Sequence, residues 1–204
     1  MKRIITATGL SALAAMLVLG AFAGSAFAVP QFLWTGPLPG LVLVLSTNPQ
    51  VFTAAAGLEI ICQHFGAHAI ASNGKAMTTK EFTLTGLYSN CKTEGAVKTG
   101  ATVTPAEFLI NADGSIAVLK SLVITVPEFI NCSLKVIGGA PNNNLKTIKF
   151  LNNPSDLLAH VEVINIESLG SGGACGEPTV AKTEGTYRGL LLASVDNGTL
   201  RWDP

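Results

Sequence analysis

Four residues of this chain carry chemistry that their spacing helps to define: Cys62, Cys91, Cys132 and Cys175. The gaps between them are 29, 41 and 43 residues. Metal-binding cysteines usually come as pairs two to four residues apart, and a catalytic thiol needs an unpaired sulfur beside a base. An even, widely spaced set in an exported chain favours two disulfides instead. Of the three possible connectivities, the sequential one is expected: Cys62 with Cys91, and Cys132 with Cys175. Each bridge would stabilise the fold by roughly 3–4 kcal/mol in the chain-entropy account.

The remaining chemistry-bearing residues are scattered. His64 and His68 are four apart, a ligand spacing on a helix, but on a strand they stand about 13 Å apart, too far for one ion. His160 and Glu162 are about 6–7 Å apart by the same rise. The three histidines are therefore expected to be polar residues on strand surfaces. Glu81, Glu107, Glu128, Glu162 and Glu167 each stand alone, whereas glycoside hydrolysis needs two carboxylates at a defined separation. No Gly-x-Ser-x-Gly elbow occurs, and Gly170 to Gly173 lacks the lysine and helix of a phosphate loop. No catalytic, cofactor-binding or metal-binding residue is nominated, and no cofactor is expected. Trp34, Trp202 and Tyr187 are candidates for stacking on a ligand such as a sugar ring. Their plainer role is to plug the end of a sandwich.

The elements that must position these residues are short strands. Leu41 to Leu45 is an apolar run bounded by turn formers, and residues 51–54 suggest another. Asn73-Gly74 suits a two-residue hairpin between arms of about 59–72 and 75–90. Phe82, Leu84, Gly86 and Tyr88 share one face of the second arm. A regular ladder about that turn puts Cys62 opposite Thr85, so the expected Cys62–Cys91 bridge requires a bulge, with Gly66 and Gly86 as candidates, or a corner into another sheet. Residues 101–110 and 115–126 form the next pair, with aliphatics at even positions from Ile116 to Val126 interrupted by Lys120. Strands follow at 130–136 and 145–151. Residues 155–164 carry a helix-start pattern, but Val161, Val163, Ile164 and Ile166 are β-branched and a strand is expected. Thr186 to Val195 and Thr199 to Trp202 suggest a closing hairpin. About ten short strands without a helical period give an all-β class, an antiparallel two-sheet sandwich, jelly-roll-like.

Residues 1–28 have the pattern of a cleavable export signal: a cationic start at Lys2-Arg3, an apolar stretch from Leu10 to Leu19, and Ala26-Phe27-Ala28 before the cut. Cleavage after Ala28 leaves residues 29–204 as a single domain, with 29–40 an irregular lead-in rich in glycine and proline. No second apolar run of about 20 residues follows, the length a bilayer-spanning helix needs. A secreted protein without a transmembrane anchor is expected. Removing Lys2 and Arg3 leaves 11 basic against 13 acidic residues, a net −2, which argues against a nucleic-acid partner.

The order of Cys62, Tyr88-x-x-Cys91, Ala101-Thr102-Val103-Thr104, Cys132-Ser133-Leu134-Lys135-Val136, Cys175 and Gly185-Thr186-Tyr187-Arg188-Gly189 resembles a group of uncharacterised secreted proteins of actinobacteria. The resemblance covers most of 58–204. It implies a cysteine-stapled all-β domain and no activity. Together these readings favour a non-enzymatic protein with a binding or structural role at or near the cell envelope, its partner a polysaccharide, lipid or protein there. Two other classes remain open: a hydrolase whose carboxylates converge only in three dimensions, and a carrier of an apolar ligand. A cavity of several hundred Å³ would favour the carrier.

Overall fold

The computed structural model describes residues 29–36, 40–54, 57–71, 76–94, 98–127, 132–136, 145–146, 148–171 and 182–204. They form strands and turns, with no helix among them. Residues 1–28, with the expected export signal, lie outside the described residues, as do Asn73-Gly74 and Cys175.

Among the described residues the strands are sixteen rather than about ten, because long stretches of extended chain are broken by kinks. They are β1 (Gln31–Thr35), β2 (Gly40–Ser46), β3 (Gln50–Thr53), β4 (Glu59–Ala71), β5 (Ala76–Thr79), β6 (Glu81–Glu94), β7 (Gly100–Val103) and β8 (Ala106–Asn111). The second half holds β9 (Ser115–Lys120), β10 (Leu122–Val126), β11 (Cys132–Val136), β12 (Leu145–Lys146), β13 (Ile148–Asn152), β14 (Leu157–Ser171), β15 (Lys182–Val195) and β16 (Thr199–Asp203). The strand expected over 155–164 is the first part of β14.

Pairing is antiparallel throughout, so the all-β antiparallel class read from the sequence is the one adopted. Several neighbouring strands continue one another. Both β7 and β8 run along β6 in a single register, with Cys91 opposite Ala101 and Gly86 opposite Ala106. The gap between them holds Pro105, which has no N–H to give the ladder. There Thr104 substitutes: its N–H reaches the Val123 carbonyl and its Oγ1 accepts from the Val123 N–H, both at 2.9 Å.

The main sheet returns on itself. From β4 the path runs through β6, then β7 with β8, β9 with β10, β11, β14 and β15. It then passes to β2 with β3, which pair with β4 again. Counted this way the ring has eight members. Apart from the closing pair, β15 with β2 and β3, each neighbour in space is the next ring strand in sequence, so the connections are those of a meander rather than the crossings of a jelly roll. Opposite walls face one another across an apolar interior, as the two layers of a sandwich do. Closure leaves the ring without an open edge, which an eight-stranded sheet would otherwise expose.

Corners make closure possible. Along β6 the buried positions Leu84, Gly86 and Tyr88 are followed by two exposed residues, Ser89 and Asn90, before Cys91 and Thr93 turn inward. Asn90 takes a left-handed conformation at φ 52°, which asparagine tolerates better than most residues. Opposite it, β4 changes phase at Gln63 and His64, both exposed. A third corner lies in β14, where Asn165 has φ 58° and the register to β15 shifts between Val163 and Ile166. Such irregularities bend a strand and sharpen its twist.

The outer wall is mostly polar. Glu81, Lys92, Lys120, Lys135, Lys149, Glu162 and Arg188 are all exposed. Leu45, Leu87 and Leu151 are exposed too, and ladder pairing joins them into one apolar row across the outer wall, Leu151–Leu158–Leu192–Leu45–Gly66–Leu87, with Leu41 and Leu43 continuing it along β2. The interior is apolar, unlike the polar lumen of a membrane-spanning barrel.

A second sheet of three strands, ordered β16-β1-β5, closes one end of the ring. It corrects three expectations. The lead-in at 29–40 contains β1, whose alternation buries Phe32 and Trp34. The final hairpin does not form: Asp196-Asn197-Gly198 turns the chain, but β16 then pairs with β1 rather than with β15. The arms around residues 73–74 do not zip from a two-residue turn either. Instead the chain leaves the ring after β4, contributes β5 to the small sheet, and re-enters as β6. The excursion sets the β4–β6 register so that Cys62 faces Cys91, not Thr85.

Candidate functional site

Residues at alternate positions of the ring strands converge on its interior. The even-numbered face of β10 buries Leu122, Ile124 and Val126, and β14 adds Leu157, Ala159, Val161 and Val163. On β15 the inward set is Tyr187, Leu191, Ala193 and Val195. Between the walls lies a cavity of about 90 Å³. Val44, Leu84, Phe108, Ile148, Val161 and Leu191 are representative of its lining, which contains no charged side chain among the described residues. Half-buried Ile116, Val118 and Ile166 line it where it approaches the surface.

Two lining residues carry a polar atom, Tyr88 and Tyr187. Their rings belong to an aromatic group with Phe52 and Phe65: Phe52 stands 5.0 Å from Tyr88 and 4.8 Å from Tyr187, and Phe65 stands 4.6 Å from Tyr88. The Tyr187 hydroxyl donates to Gln50 Oε1 in a short hydrogen bond. Gln50, wholly buried, is held from its other end: its Nε2 donates to the Asn48 carbonyl at 2.8 Å. A glutamine fits there because β15 has glycine opposite it. A Cβ at Gly189 would lie 1.8 Å from Gln50 Oε1. A second close approach, Phe65 over Gly86, puts an aromatic ring where a Cβ would come within 2.5 Å of Phe65 Cε2.

Both phenols are held neutral. Burial pushes the Tyr88 hydroxyl well above its ordinary 10.0, and the adjacent Tyr187 adds to the effect. Burial likewise raises Tyr187 far above the usual phenol range. Both hydroxyls are engaged within the protein, Tyr88 with Tyr187 and Tyr187 with Gln50, so the wall that faces the cavity is apolar.

Comparison with protein-family models, with curated proteins and with solved structures returned no match. The reading of the site therefore rests on its own geometry.

The residues singled out from sequence are distributed as follows. Cys62 and Cys91 are bonded across the β4–β6 ladder. Cys132 is also disulfide-bonded, and Cys175, its expected partner, lies outside the described residues. Of the stacking candidates, Trp34 and Trp202 lie in the small end sheet and Tyr187 faces the interior. Trp34 is buried; Trp202 packs on Phe150 at 5.7 Å and donates its Nε1–H to the Ala112 carbonyl at 2.7 Å. The three therefore do not share one surface. His64, His68, His160 and Glu162 point outward and are exposed, and among the described residues no three metal-ligating side chains cluster.

Sequence reasoning placed Tyr88 on the right face, with Phe82, Leu84 and Gly86, but gave it no role. Gln50 carried no signal at all. Its burial depends on Gly189 and Tyr187, which are roughly 140 residues away in the chain and become neighbours only when β15 pairs with β3.

Proposed function

We propose that the chain is an exported, non-catalytic binding protein, active at or near the cell envelope, whose barrel interior receives a small apolar ligand. The single observation that carries this reading is the cavity of about 90 Å³ inside a closed ring, lined by aliphatic and aromatic side chains and two neutral phenols. Apolar cavities of this kind stay dry, so an apolar guest gains contacts without displacing bound water. The cavity falls short of the several hundred Å³ set above as favouring a carrier, so the guest this reading allows has only a few heavy atoms. Export is supported by the signal-like pattern of residues 1–28 and by the Cys62–Cys91 bridge, since disulfides persist in oxidising compartments. The hydrolase alternative gains less support: Glu81 and Glu162 face outward on different strands.

The test is uptake of xenon by the purified mature protein under gas pressure, followed by a rise in melting temperature and by ¹²⁹Xe NMR. Ala159 and Ala193 line the cavity, so Ala159→Phe, or the milder Ala193→Val should the first fail to fold, fills it. Uptake by the parent that falls in the filled variants supports the reading. No uptake, or uptake unchanged by filling, overturns it.

A further inference from the structure

One strand of the ring breaks the rule that its neighbours follow. Along β6 the outward residues Glu81, Thr83 and Thr85 are polar. On β2 the inward Val42 and Val44 alternate with Leu41, Leu43 and Leu45, which face out and are 39%, 39% and 56% exposed. A short run that is apolar on both faces is the pattern of a strand covered on both sides, yet the outer side of β2 stands open among the described residues. The ladder extends this apolar surface sideways. Leu192 of β15 lies beside Leu45 on one flank, and beyond Gly66 of β4 on the other stands Leu87, 54% exposed. Together these leucines offer roughly 400 Å² of apolar surface, the size of a typical monomer's largest patch and often functional.

Area and shape say what covers it. A stable interface takes about 800 Å² from each partner, a little over half of it apolar, so the leucines and their polar border supply one such share. Gly66 leaves a notch in the row between Leu45 and Leu87, where an added Cβ would meet only Leu45 Cδ2, at 3.8 Å. The order Leu192, Leu45, Gly66, Leu87 therefore fits its own reverse about the midpoint between β2 and β4, side chain to gap and gap to side chain. No charge opposes such a contact. Thr47, Thr85, Ser89 and Ser194 border the leucines, His64 and His68 are the titratable groups of β4 beside them, and Arg188 stands opposite Glu162 of its own chain. The net −2 expected after cleavage gives two copies little mutual repulsion. We infer that this face of the barrel pairs with a second copy of the chain, across a two-fold axis that runs along the strands between β2 and β4. Leu45 of each protomer seats over the partner's Gly66, Leu192 meets the partner's Leu87, and Leu43 packs against the partner's His68.

Sedimentation velocity of the full mature protein across the micromolar range tests this, with concentration-dependent melting as a second readout. A dimer is expected. Leu45→Lys places a charge at the centre of the contact and should weaken the dimer roughly tenfold or more. Its strand spectrum should be unchanged, because Leu45 is exposed in the protomer. Gly66→Val is the sharper variant: its Cβ has room in the protomer and a β-branched side chain suits a strand, but it fills the notch and should weaken the dimer by a similar factor. Leu119→Lys, at a comparably exposed leucine of β9 outside the row, should leave the dimer intact. A dimer unaffected by both Leu45→Lys and Gly66→Val lies on another face and overturns the inference. One broken by the lysine but not by the valine overturns the seating over Gly66. A protein that stays monomeric at every concentration overturns the pairing outright, and capture of that monomer by phosphatidylglycerol vesicles, lost in Leu45→Lys, would reassign the row to a lipid surface.

Discussion

At the scale of single residues the interior is most sensitive where glycine admits a neighbour. Gly189→Ala puts a methyl group into the space of Gln50 Oε1, and this side chain cannot simply swing away, because it is wholly buried and bonded at both ends. Displacing it leaves the Tyr187 hydroxyl or the glutamine amide unpaired, so a loss of about 1–3 kcal/mol is expected. Urea unfolding measures it, and in a Gln50→Ser background the same substitution should cost markedly less. The two tyrosines give a second prediction, this one in pH. They are the only two in the chain, and both have their ionisation raised by burial. An unfolded tyrosine loses its proton near 10.0 while the folded one keeps it. The native state therefore binds more protons than the unfolded state above that pH, and stability falls as pH rises further. Below it the contribution is fully present. Absorbance at 295 nm should show no phenolate step near pH 10 in the folded protein, then a single cooperative step that coincides with loss of the strand spectrum. A non-cooperative titration near pH 10 would place the phenols in solvent.

Among the elements, the β4–β6 pair shows how far local signals reach. Their alternation was legible, because each inward run is apolar and each outward run polar, and the sequential disulfide was the favoured pairing. The register was not legible. An Asn-Gly pair is a strong local turn signal, yet the segment around it is recruited by β1, a partner some 40 residues upstream that itself looked like an irregular lead-in. Tertiary pairing overrode turn chemistry, and the shift brought Cys62 and Cys91 face to face. The same competition took β16 away from β15. With a sequence separation of 29, the bridge should contribute about 3.5 kcal/mol by restricting the unfolded chain. The double variant Cys62→Ser, Cys91→Ser should lose approximately that amount in denaturant unfolding while retaining its strand spectrum. The flanking ladder pairs, Ile61 with Lys92 and His64 with Ser89, are expected to hold the register without the covalent link. Collapse of the strand signal would mean that the bridge sets the register rather than following from it.

For the whole molecule the question is whether the small sheet and the ring are one cooperative unit. Three strands of four or five residues each make a sheet too small to persist alone, so its order must come from the ring. The contacts are specific. Phe32 packs on Phe82 at 4.7 Å and on Phe150 at 5.1 Å, joining β1 to β6 and β13. Asn152 exchanges two hydrogen bonds with the Trp202 backbone, each 2.7 Å long, and Trp202 Nε1–H reaches Ala112 beyond β8. In the other direction the ring depends on the sheet, whose Phe32 packs over Phe82 and Phe150 of the ring strands. Sequence alone suggested that the tryptophans plug the end of a sandwich. It could not show that β5, from the middle of the chain, completes the plug. The aromatic residues happen to separate the two parts for measurement: both tryptophans lie in the small sheet and both tyrosines in the ring. Tryptophan emission should therefore report the end sheet, tyrosine absorbance the barrel, and circular dichroism the whole. In a guanidinium titration the three curves should superimpose on a single transition. A tryptophan transition at lower denaturant would separate the end sheet from the barrel core. Deleting residues 199–204 provides the complementary perturbation: it removes the partner of β1 and uncovers Phe32, so the tyrosine transition should move to lower denaturant even though no ring strand has been altered.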